Sequence, residues 1–79
     1  MSDEHRLRDA WARLDAAKAR EIKAHERAIW FHQKAAVRFD RLADEDAAIA
    51  ARAHAATEWH RLQAANRDLG KAVAARTAT

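Results

Sequence analysis

The sequence predicts an all-α fold, a long antiparallel helical hairpin, and three observations carry that prediction. Proline is absent and the single glycine is Gly70. Alanine and arginine, both strong helix formers, dominate, while the β-branched residues that favour strands are scarce. Helix-start chemistry occurs twice, at Ser2–Asp3 and again at Asp44, so the helical pattern divides in two with a turn near Asp44.

The first helix is expected over about 3–43. Ser2 or Asp3 caps it, and Asp3 and Glu4 suit the positive end of its dipole. At 1.5 Å per residue such a helix is roughly 60 Å long. Its apolar stripe opens with Leu7, Trp11 and Leu14, then continues in the same frame as Lys18, Glu21, His25, Ala28, His32, Ala35, Phe39 and Leu42. Ile22, Ile29, Ala36 and Ala43 form a second seven-residue series one position over, so the seam is broad and drifting.

The segment Leu42-Ala43-Asp44-Glu45-Asp46 reads as the turn, with Asp44 as N-cap and two acids in the first turn of the next helix. The rival reading is one unbroken helix to Leu69. The second helix is expected over about 45–69, closed by a cap at Leu69-Gly70-Lys71. Its seam reads Ala48, Arg52, Ala55, Trp59, Leu62, Asn66, Leu69 and Val73. Val73 hints at continuation past Gly70, and a frayed tail is expected over about 74–79. Folding back at Asp44 places residue i level with residue 88 minus i. The outline differs from that of the WXG-type secreted hairpins, since no Trp-x-Gly turn is present.

Residues 1–79 make one small domain, of a size at which oligomerisation often supplements the core. Within it, Ala28–Phe39 concentrates aromatic mass in Trp30, Phe31 and Phe39. On a helix Ile29, Ala36 and Phe39 share one face, Trp30 and Val37 a second, and Phe31 points to a third. The second helix can cover only the first of these. Leu7, Trp11 and Leu14 meet only a short tail. The expected protein interface is therefore Leu7, Trp11, Leu14, Trp30, Phe31 and Val37, and the expected assembly is a dimeric four-helix bundle that also binds a protein partner.

Other chemistry is thinly represented. With no cysteine there is no disulfide scaffold or thiolate nucleophile. No glycine-rich phosphate loop or nucleophile–base pair is visible, so no enzymatic activity and no cofactor is expected. His25 and His32 lie about 10 Å apart along one face, too far to share an ion, so no metal is expected. Together with His60 they are expected at a semi-polar interface that responds to pH. Asn66 and Lys18 are expected to set register. Uncharged runs are too short to span a bilayer and no signal-peptide pattern opens the chain, so no membrane partner and a cytoplasmic location are expected. The alanine- and arginine-rich composition suits a bacterial or phage origin.

The net charge is +3. Arg20, Lys23, Arg27, Lys34, Arg38 and Arg41, with Arg13, cluster on the outer face of the first helix, flanked by Trp30 and Phe31. That pattern supports an alternative function, nucleic-acid binding through phosphate neutralisation and stacking.

Overall fold

The computed structural model describes residues 2–78, arranged as two long helices packed antiparallel, α1 over Asp3–Arg41 and α2 over Glu45–Thr77. The Ser2 side chain accepts from the His5 amide to open α1, and the Asp44 side chain accepts from the Ala47 amide at 3.1 Å to open α2. The reversal between them is built without glycine. Asp44 N–H donates to the Phe39 carbonyl at 2.9 Å and Ala43 N–H to that of Asp40 at 3.1 Å. This is the paired bonding of a Schellman cap. Its left-handed position is filled by Ala43, at φ 56°.

The register follows the expected fold-back. His32 stacks on His54 and Lys18 lies beside Asp68, both pairs summing to within a turn of 88. The α1 seam is Trp11, Asp15, Lys18, Ile22, His25, Ile29, His32, Ala36 and Phe39, all buried or half-buried. It interleaves the two seven-residue series and adds Asp15.

Helix α2 departs from expectation in two ways. It runs unbroken through Gly70, which keeps a negative φ, so Leu69-Gly70-Lys71 is not a cap and the tail is helical to Thr77. Thr79 lies outside the described residues. Its seam is Ala48, Ala51, Ala55, Glu58, Leu62, Ala65 and Leu69, and only Ala48, Ala55, Leu62 and Leu69 match the expected set. Arg52, Trp59, Asn66 and Val73 sit one residue to the side and are exposed. The reason is packing. Alanine at Ala48, Ala51, Ala55 and Ala65, each buried, lets the helices approach closely, which a tryptophan at the same level would prevent.

The core is thin. Among the described residues the buried apolar side chains are alanines, Ala36 together with the four of α2. The molecule measures 62 × 22 × 11 Å with a radius of gyration of 18.1 Å. A compact chain of this length would have a radius near 12 Å. Its accessible surface is 6329 Å², against about 4,800 Å² for a compact monomer of the same mass.

Candidate functional site

Helix α1 presents four lengthwise rows, because residues seven apart stay aligned with the seam. The seam row is itself polar. His25 Nδ1 lies 2.6 Å from Glu58 Oε2, its Nε2 faces Glu21 at 3.6 Å, and Arg61 also donates to Glu58 at 2.8 Å. The hydrogen bond from His25, reinforced by Arg61, holds the Glu58 carboxyl below its ordinary range. Lys18 at 2.9 Å, and then His25, does the same for Glu21, while Glu21 raises Lys18.

Nearer the helix ends, Arg76 makes a two-pronged hydrogen bond to Asp15, at 2.6 and 3.0 Å, which depresses the Asp15 carboxyl and raises the guanidinium. The Arg76 guanidinium also lies 5.4 Å from the centre of the Trp11 ring. Trp11 is therefore a half-buried seam residue, not part of an open patch beside Leu7 and Leu14. At the turn end Arg52 donates to Asp40.

The histidine expectation is met only in part. His25 and His32 are at the seam, but His60 is exposed and packs edge-on against its neighbour Trp59. The histidine that crosses to His32 is His54, with ring centres 5.1 Å apart. Sequence reasoning passed over His54, and its one available signal is that it lies level with Lys34 and within one turn of His32. Asn66 is exposed, whereas Lys18 is held by Glu21 and Asp68. Among the described residues no three of His, Asp and Glu converge as metal ligands, and no helix is long and apolar enough to cross a membrane.

One flank of α1 carries Leu7, Leu14, Ala28, Phe31, Ala35 and Leu42 at coiled-coil spacing, interrupted by Glu21 and Arg38. Leu14, Phe31 and Leu42 are 66%, 63% and 69% exposed. The other flank carries Trp30 and Val37, also exposed. Gln33 on that side joins Ile29 and, from α2, Arg52, Ala56, Trp59 and His60 around one shallow depression.

The fourth row faces away from α2. Arg13, Arg20, Arg27, Lys34 and Arg41 each sit two residues after one seam position and two before the next, about 180° from the seam. Lys23 and Arg38 lie just beside the row, and all seven bases are exposed. Lys34 Nζ rests 4.5 Å from the centre of the Trp30 ring. Among the described residues none of these seven forms an ion pair. The acids that pair, Asp15, Glu21, Asp40, Glu58 and Asp68, are held by Lys18, His25, Arg52, Arg61 and Arg76.

The formal charge divides accordingly. Helix α1 holds ten Lys/Arg against seven Asp/Glu, whereas Asp44 and α2 hold five of each, so the whole of the +3 sits on α1. No family model, curated protein or solved structure matches the chain.

Proposed function

We propose that the protein is a non-enzymatic helical interaction module that pairs with a second copy of itself and presents a further apolar face to a protein partner. The observation that carries this reading is the surface area. The hairpin exposes roughly 1,500 Å² more than a compact monomer of its mass, about twice what one partner contributes to a standard interface. Its buried seam positions are alanines and the seam also carries histidine and charge, while nine large apolar side chains among the described residues stand exposed.

The flank bearing Leu7, Leu14, Phe31 and Leu42 is the face assigned to the second copy. Leu7, Leu14, Ala28, Ala35 and Leu42 stand at multiples of seven along α1 and its cap, with Glu21 the one charged residue in that series and Phe31 one turn on from Ala28. Pairing of two hairpins along this flank makes a four-helix bundle. The opposite flank, with Trp30, Val37 and Trp59, is left for the protein partner, with aromatic anchors of the kind that dominate binding energy.

Sedimentation tests the assembly. The unmodified protein is expected to sediment as a dimer at micromolar concentration. Leu14→Glu with Phe31→Glu places charge where it would be desolvated and is expected to yield a helical monomer. Trp30→Glu, on the other flank, leaves the dimer intact. A monomer at several hundred micromolar in the unmodified protein refutes the pairing.

A further inference from the structure

We propose that the outer row of α1 is a binding track for single-stranded nucleic acid. It is separate from the flank assigned to the second copy and stays open when that flank is covered. Its geometry is linear. From Arg13 to Arg41 a base recurs every seven residues without exception, about 10 Å apart over roughly 42 Å. No acid lies on this face within that span. Asp9, the nearest acid on it, lies beside the row's first residues.

A surface that is merely solvated normally mixes signs, because interspersed charge lowers self-repulsion. Here Asp15, Glu21 and Asp40 are turned to partners in the seam or on α2, and exposed Glu26 stands about 100° off the row, so the bases face out together. That leaves a continuous positive strip able to release counterions from a phosphate backbone. Trp30 flanks the strip at its centre, on the side away from the second copy, and is 60% exposed. It offers flat π surface beside the charge, the pairing on which unstacked bases bind. Lys34 over the Trp30 ring joins the two functions at one place.

The shape selects single strands. A duplex phosphate strand completes a turn in about 34–36 Å, so it winds away from a straight 42 Å row after a few phosphates. A flexible strand can follow the row, and only a strand with splayed bases can stack on Trp30.

The test is fluorescence anisotropy of a labelled 20-nucleotide oligo-dT titrated with the full chain, from 20 to 200 mM salt. Contact with five phosphates gives a log–log salt slope near −3.5, hence about 100-fold weaker binding at 200 than at 50 mM. Arg27→Gln with Lys34→Gln is expected to flatten that slope by more than 1. The matched pair Arg67→Gln with Lys71→Gln on α2 leaves it unchanged. Trp30→Ala weakens binding about 5-fold or more, and a 20-base-pair duplex binds at least 5-fold less well than the single strand. Circular dichroism confirms that each variant stays helical.

Absence of binding at 20 mM salt overturns the proposal. Equal losses from the α1 and α2 pairs overturn it as well, since net charge alone would then explain the binding. Tighter binding to duplex removes the single-strand assignment. Tighter binding to polyglutamate or to phosphatidylserine vesicles than to oligo-dT overturns it in favour of an acidic protein or a membrane surface.

Discussion

Glu58 accepts a 2.6 Å hydrogen bond from His25 across the centre of the hairpin, with both side chains less than one-fifth exposed. This polar bridge occupies a level where a helical pair would ordinarily place leucine. Its acid is also bonded by Arg61, and its imidazole faces Glu21 at the other ring nitrogen. The seam is therefore held by directional contacts as much as by apolar burial, and its stability must depend on charge state.

That dependence has a definite sign. The carboxyls of Glu58, Asp15 and Glu21 are all held below their ordinary values, by His25, Arg76 and Lys18 respectively. A depressed folded-state pKa gives stability that is present above the unfolded value and lost as pH falls through the folded one. The melting temperature is expected to fall progressively as pH drops below about 4.5. Glu58→Gln should lower the melting temperature at neutral pH and reduce the acid drop. A melting curve equally steep in pH for the variant would remove Glu58 from the account.

The Asp15–Arg76 clamp explains why α2 continues past Gly70. Exposed glycine in a helix costs roughly 0.5–1 kcal/mol relative to alanine, and the two-pronged bond together with the Trp11 contact acts beyond it. Arg76→Ala is expected to unravel the last two turns while leaving the centre intact. Hydrogen exchange should report lost protection over residues 71–77 and none over 48–62. Asp15→Asn should move the same amides in the same direction.

Two backbone positions are occupied by each other's preferred residue. Ala43 holds a left-handed conformation at φ 56°, which costs an L-residue about 1–2 kcal/mol. Gly70 lies within α2 at negative φ, with nothing within 4 Å of where a Cβ would stand. Ala43→Gly and Gly70→Ala should each stabilise by about 0.5–1 kcal/mol. In a domain of this size that is a rise of roughly 2–8 °C in Tm. Lower Tm in either variant would contradict the local geometry described above.

What could be read from the residues follows from how local the chemistry is. The caps at Ser2 and Asp44 are single side chains serving nearby amides, so both helix starts and the reversal were legible, and the register followed from the reversal. The exposure of Trp30, Phe31 and Val37 was legible too, since one partner helix covers only one face.

The α2 seam was not. Alanine occupies so many positions between Ala47 and Ala56 that hydrophobic period gives no contrast there. The larger residues Trp59 and Val73 then draw the eye to the wrong line. Close packing put the smallest side chains inward instead. Gly70 misled for a related reason, because a clamp to Asp15, distant in sequence, decides where the helix ends.

The alanine seam makes the last prediction. Ala65 is 2% exposed and Ala48 1% exposed, each on the line where α2 meets α1. A close helix–helix approach leaves no space for three further carbons. Ala65→Leu must force the helices apart or push neighbouring side chains off their rotamers, at a cost of about 1–3 kcal/mol. The same change at exposed Ala53 adds a leucine to the solvent side, where it should shift stability by less than about 0.5 kcal/mol. Chemical denaturation monitored by circular dichroism separates the two. A wider seam gained by leucine burial would instead raise the midpoint of Ala65→Leu. That outcome would mean the hairpin is loosely packed along its length, and the close approach attributed to Ala48, Ala51, Ala55 and Ala65 would have to be abandoned.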